Sequence, residues 1–351
     1  MKSFHCTSCW QTIVFENTRC EKCGHHLGFL PERLEMTAVE PRGDHWIAAA
    51  SGDGRYRFCK NWELHGCNWL TEPGEDFCLA CRHNRTIPDL SDPRCQLMWQ
   101  KTEQAKRRLF YSLIRLGLPI ENPQEPLVFD FVADTGAGSK PTMGHSNGVI
   151  TITVEESDDA TREGHRNAMG EPYRTLLGHF RHEIGHYYWD RLVRDGDHID
   201  AFREIFGDER IDYTTALKSH YERKITDPGE GFISAYATSH PWEDFAETFA
   251  HYLHIVDTLE TARAMGVSLR PFNRMELAVA FDPYRAVDVN DLVETWLHLA
   301  FAVNNLNRSM GQPDLYPFVL SPKVAQKFAF VIKLVQESAR AVHQESACAA
   351  H

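Results

Sequence analysis

Eight of the ten cysteines in this 351-residue chain fall before position 82, in two groups of four, and no other feature constrains its folding so tightly. Cys6-x2-Cys9 is followed, ten residues on, by Cys20-x2-Cys23. Two such turns bring four thiolates to one point, the closed tetrahedral set of a structural Zn²⁺ site. The stretch from Gln11 to Phe15 is β-prone and suits a hairpin between two knuckles. A module this short cannot bury a sufficient core, so the metal itself would supply its folding energy. Cys59, Cys67, Cys78 and Cys81 offer a second four-thiolate set, spaced by 7, 10 and 2 residues. Only Cys78-x2-Cys81 is a regular knuckle there, and His65 is an alternative to Cys67 as a ligand. Cys95 and Cys348 are left without a role.

Thiols clustered in this way read as metal ligands in a reducing compartment. The first residues lack the apolar core of a signal peptide, and no apolar run approaches the roughly 18–20 residues of a membrane span. The expected location is therefore cytoplasmic, without membrane contact. Net charge is −12, with 15 basic and 14 acidic residues over positions 1–110, so the remainder carries about −13. An acidic region of that size repels a phosphate backbone, and nucleic-acid binding is not expected.

Residues 31–57 read as a linker with a short strand or two. From Gln96 to about Leu116 the period turns helical, with Ala105, Leu109 and Leu113 on one stripe. Lys101, Lys106, Arg107 and Arg108 lie mostly off it and read as a solvated face. Leu127–Val132 and Val149–Val154 are β segments, separated by a loop holding Gly136, Gly138, Gly144 and Gly148. Beyond Asp158 the chain reads mostly helical, ending in an amphipathic helix near Val324–Val342. The expected class is α+β: small four-cysteine zinc modules, then a mostly helical domain with a small sheet. The expected boundaries are 1–30 for the first module, 31–95 for linker and second module, 96–320 for the main domain, and 321–351 for a C-terminal helix and tail.

The chemistry concentrates in His182-Glu183-Ile184-Gly185-His186. Residues four apart on a helix are neighbours, so His182 and His186 project side by side and can ligate one Zn²⁺. Glu183 then sits beside the metal, placed to take a proton from an activated water and pass it to a leaving amine. The flanks are apolar and aromatic, so this helix is buried, and buried histidines and carboxylates need a compensating partner. A catalytic zinc needs a third ligand. Pro241–Tyr252 is the best supplier, with Glu243 as ligand and Glu247 accepting a hydrogen bond from the outer nitrogen of His182 or His186. His251 is the alternative third ligand, and the two glutamates could exchange roles. Tyr236 offers a phenol that could stabilise an oxyanion. His179 reads as structural, and Asp190 as an exposed charge ending the helix.

The run Tyr173–Trp189 (YRTLLGHFRHEIGHYYW) and the run His240–His254 (HPWEDFAETFAHYLH) resemble a bacterial family of zinc-binding metallopeptidases with an N-terminal zinc ribbon. Cys67–Trp69, Ile87–Leu90, Ala105–Leu109 and Phe206–Glu209 extend the likeness over nearly the whole chain. The resemblance implies a zincin-like peptidase; the eight cysteines with His182, His186 and Glu243 imply one catalytic and two structural zinc ions, and a peptide or protein substrate is expected. A more distant similarity, to gluzincin peptidases of the anthrax lethal-factor type, places a zinc glutamate at the head of a Glu-x3-Glu helix, with a catalytic tyrosine seven residues earlier. Tyr236, Glu243 and Glu247 match it. In such folds an edge strand pairs with extended substrate, and Gly148–Val154 is the candidate here. Two other readings stand beside this one: a scaffold whose ribbons dock a protein partner, and a DNA-associated SprT-like protease. The second uses a third histidine and a ribbon placed after the catalytic domain, and this sequence differs in both.

Overall fold

In the computed structural model the described residues are 1–122, 125–134, 143–169, 175–223, 225, 227–270 and 277–349. Gly136, Gly138, Tyr173 and Arg174 lie outside them. The chain divides into two units, the first comprising Met1–Arg115 and Pro123–Asp159, the second Leu116–Asn122 and Ala160–His351. No helix among the described residues is long and apolar enough to cross a membrane.

In the first unit, strands β1 (Phe4–His5) and β2 (Thr12–Ile13) form a short hairpin around the first knuckle, Cys6–Cys9, rather than the expected hairpin between the two knuckles. Residues 31–57 are more than a linker. Strands β4 (Glu35–Arg42) and β5 (His45–Ala48) extend β3 (His26–Leu30) into a three-stranded antiparallel sheet. A second short pair, β6 (Arg57–Phe58) and β7 (Leu70–Thr71), carries the second cysteine set. Phe4, Phe15, Phe29 and Trp69 cluster with Tyr111 of helix α1 (Pro93–Leu116), ring centroids 4.8–6.3 Å apart. Both cysteine modules thus share one aromatic core, and burying rings of this size stabilises each by roughly 1.5–3 kcal/mol.

The basic cluster on α1 departs from the solvated face expected of it. Lys106 and Arg107 are buried, and only Lys101 is exposed. Lys106 Nζ pairs with Glu103 at 3.0 Å, and Arg107 donates to the Gly66 carbonyl. Burial alone would lower the Arg107 pKa, but the Cys67 and Cys81 thiols and Glu103 outweigh it and raise it. Lys106 is thus buried against the Glu103 carboxylate and Asn84, and Arg107 against the Gly66 carbonyl beside the second cysteine set.

A four-stranded sheet completes this unit in the order β10 (Gly144–Ser146), β11 (Val149–Thr153), β9 (Val128–Val132), β8 (Asn84–Thr86). Phe129, Phe131, Ile150 and Ile152 are fully buried, as alternation requires. β11 is an inner strand, parallel to β9 and antiparallel to β10, so the substrate-pairing edge expected at Gly148–Val154 is already occupied over Val149–Thr151. The cause is Asn147-Gly148, both at positive φ (48° and 78°), a two-residue hairpin turn that folds β10 back onto β11.

The second unit is helical, as expected beyond Asp158: α2 (Asp159–Met169), α3 (Leu176–Trp189), α4 (Ile199–Phe206), α5 (Tyr213–Arg223), α6 (Pro241–Ala264), α7 (Val289–Ser309) and α8 (Pro322–Ala349), with a minor strand pair at Ser268–Leu269 and Leu277–Ala278. Its centre is the crossing of α3 and α6. A Cβ on Gly185 would stand 2.9 Å from Ala246 Cα, so the two backbones nearly touch there. Tyr188 stacks on Phe249 across the crossing, ring centroids 5.6 Å apart, and Phe180, Ile184 and Phe245 are buried with them. Thr175 caps α3 by accepting from Gly178 N, and His240 caps α6 by accepting from Trp242 N, with Pro241 at the first helical position.

Candidate functional site

The crossing brings His182, His186 and Glu243 together. His182 Nε2 lies 2.9 Å from Glu243 Oε2, His186 Nε2 lies 3.3 Å from the same oxygen, and the two nitrogens are 3.1 Å apart. Ligands held tetrahedrally at about 2.0–2.1 Å from zinc stand roughly 3.3–3.4 Å from one another, so this triangle needs only slight expansion to accept the ion. Burial would lower the His182 pKa, yet Glu243 and Glu247 outweigh it and hold it well above the usual histidine range. Glu243 is held well below the carboxylate range, its burial outweighed by His186 and His182. A divalent cation satisfies such a cluster of facing Lewis bases.

Around this triangle each further side chain has a distinct partner. His182 donates through Nδ1 to Glu247 Oε1 at 2.8 Å, which fixes the tautomer that leaves Nε2 facing inward. Ser234 donates to the other Glu247 oxygen at 2.6 Å. Glu183 Oε1 lies 3.2 Å from His179 Nε2, while Glu183 Oε2 is buried with no hydrogen-bond partner among the described residues. Burial would raise the Glu183 pKa, but His179, His182 and His186 together lower it, so the carboxylate is ionised near neutrality. Tyr236 sits on a short turn, Tyr236–Thr238, with its ring 5.7 Å from that of His182. Burial, with Glu243 and Tyr213 nearby, keeps its phenol protonated well above the usual range.

His251 is elsewhere: its Nδ1 contacts the Tyr316 hydroxyl at 2.8 Å. Asp190 is buried and 3.1 Å from Arg194, not the exposed charge expected, because α3 runs on into a π-helical turn over Asp190–Arg194 that turns its carboxylate inward. Sequence reasoning missed four residues: His179 on Glu183, Ser234 on Glu247, Trp242 with its ring 3.7 Å from that of His186, and Tyr213 on Glu243. Of these, only His179 had a spacing signal, standing four residues before Glu183.

Both cysteine sets assemble. Cys6–Cys23 and Cys9–Cys20 sulfurs are 3.6 Å apart, and Cys67–Cys78 sulfurs 3.7 Å. Sulfurs about 2.3 Å from one zinc would be roughly 3.8 Å apart, whereas a disulfide needs about 2.05 Å. Cys59 and Cys81 complete the second set, and His65 is exposed outside it. The second set is wholly buried, while Cys9 and Cys23 of the first are half-buried.

Residues 3–92 match a zinc-ribbon domain, and residues 96–334 match the family described as "Putative zinc-binding metallo-peptidase". Uncharacterized protein Rv2568c of Mycobacterium tuberculosis and uncharacterized protein Mb2598c of Mycobacterium bovis are each 41% identical over 350 residues, covering 97% of this chain and 96% of the relative. No solved structure matches. With a family match over most of its length and relatives alike from end to end, the chain belongs to this zinc-binding metallopeptidase family.

Proposed function

We propose that the chain hydrolyses peptide bonds at a zinc held by His182, His186 and Glu243, with Glu183 as general base. The observation that carries this reading is the convergence of those three ligand atoms at 2.9–3.3 Å, beside a buried Glu183 oxygen without a partner. Zinc, when bound, supplies a Lewis acid that polarises a carbonyl and acidifies water. Glu183 takes the proton from the attacking water on Oε2 while His179 holds Oε1, then hands it to the leaving amine. Tyr236, kept protonated, donates to the carbonyl oxygen as negative charge develops there. Glu247 and Ser234 fix His182. The two four-cysteine sets would each hold a structural zinc, giving one catalytic and two structural ions.

The substrate is a peptide or protein, and the ribbons offer a surface for a protein partner in a cytoplasmic setting; neither nucleic acid nor membrane enters this reading. A binding scaffold of the same fold would have no use for the Glu183 carboxylate. Cleavage profiling of a peptide library with wild type and Glu183→Gln tests the proposal. New termini that appear with wild type and vanish with the variant are expected; identical profiles from both proteins would contradict it.

A further inference from the structure

Building on the zinc-ligand reading of Glu243, we infer that Tyr213 is a positioning residue that restricts Glu243 to one-oxygen ligation and so keeps the fourth metal position open. Glu243 is only 2% exposed, and its two oxygens have divided roles. Oε2 is the oxygen shared with His182 and His186, while Oε1 accepts a hydrogen bond from the Tyr213 hydroxyl at 2.6 Å. A carboxylate free at both oxygens can close onto a metal with both. Doing so would crowd the position that a catalytic zinc must leave to water or substrate. A short hydrogen bond from a neutral phenol to an ionised carboxylate opposes that motion, because Oε1 would have to exchange a charge-assisted bond for the metal.

The surroundings place this hydroxyl deliberately. Tyr213 is the first residue of α5, a helix with no buried residue, so the side chain is not held by general packing. Its ring instead meets His240 and Trp242 edge-on at 5.3 and 5.7 Å. His240 also lies 3.1 Å, through Nε2, from the carbonyl of Ile211, which anchors the approach to α5. Trp242 in turn lies against His186. One wall of rings therefore runs from the metal-facing histidine to Tyr213.

Tyr213→Phe removes the hydroxyl and keeps the ring. Zinc titration of the catalytic site, with ribbon metals subtracted, should then weaken about 10–100-fold, the usual penalty for losing a group that orients a ligand. Cobalt introduced at that site should show a visible spectrum shifted toward five-coordination. The melting temperature of protein stripped at the catalytic site should be the same as wild type, which a merely structural tyrosine would not allow. Unchanged zinc affinity with an unchanged cobalt spectrum would overturn the inference. Glu243→Ala, titrated alongside, separates the two levels. If it loses the catalytic zinc while Tyr213→Phe behaves as wild type, the ligand stands and the positioning role falls. If Glu243→Ala keeps the zinc, the ligand assignment fails first and takes the positioning role with it.

Discussion

Glu183 and Glu243 stand on neighbouring helices and differ in how their oxygens are satisfied, and the proposed roles of base and ligand rest on that difference. Among the described residues Glu183 keeps one buried oxygen without a hydrogen-bond partner, whereas both Glu243 oxygens are engaged. Glu183→Gln should leave the zinc count intact and cut turnover about 10²–10⁴-fold, read by metal analysis and peptide hydrolysis on one preparation. Glu243→Ala should nearly abolish the catalytic zinc. Glu247→Ala should weaken it only about 10–100-fold, and Tyr236→Phe should spare it while lowering turnover about 10²–10³-fold. Full zinc retention in Glu243→Ala would contradict this ordering. His182, His186, Glu243 and Glu247 were legible in the sequence because four-residue spacing fixes which side chains share a helix face. Tyr213 was not, being 30 residues from Glu243 on a helix with no buried residue. Lys106 and Arg107 were misread because periodicity marks the apolar face and is silent about polar partners such as Glu103, Asn84 and the Gly66 carbonyl packed against the other one.

Helix α3 presses on α6 at a single glycine, and the geometry of the site depends on it. Replacing a helical glycine by alanine ordinarily helps by about 1 kcal/mol. At Gly185 the added carbon would meet Ala246 Cα at 2.9 Å and the Ala246 carbonyl at 3.1 Å, both backbone atoms that cannot move alone. Gly185→Ala should therefore destabilise by about 1–3 kcal/mol and weaken zinc by parting the histidines from Glu243; a raised melting temperature would refute the close crossing. The two cysteine modules should also differ in exchange. A chromogenic chelator should strip the catalytic zinc first, through its open position, then the half-buried first set, and last the wholly buried second set. Release of the second set before the first would contradict that order. At this scale the strands at 128–132 and 149–153 and the long α1 were readable from alternation and period. The inner position of β11 was not, since it depends on the Asn147-Gly148 turn, whose hairpin geometry the alternation alone does not convey.

Over the whole molecule, α1 and the strands at 128–132 and 149–153, expected with the main domain from residue 96, fall in the cysteine-rich unit, and only the class of fold followed from where the cysteines and the helical periods lie. The aromatic core shared by both cysteine modules did not, because Phe15, Phe29, Trp69 and Tyr111 are scattered along the chain. The helical unit should be acid-sensitive. Burial lowers the His251 pKa to about 4, against roughly 6.5 in an unfolded chain. Between those values the unfolded state binds the extra proton, so stability rises with pH there and is lost as pH falls from about 6.5 through 4. The site is worth about 3 kcal/mol at most. His251→Asn, which can still reach the Tyr316 hydroxyl, should shrink the gap in denaturant midpoint between pH 7 and pH 4; an unchanged gap would mean His251 titrates normally. The central claim, hydrolysis by a third zinc distinct from two structural ones, is tested most directly by titrating zinc into protein that retains only the two ribbon ions. Native mass and hydrolysis of a library-derived peptide are followed in the same samples. Hydrolysis should rise in step with the three-zinc species and stay absent from a His182→Ala/His186→Ala protein that stops at two. Hydrolysis by the two-zinc species, or by the double variant, would contradict it.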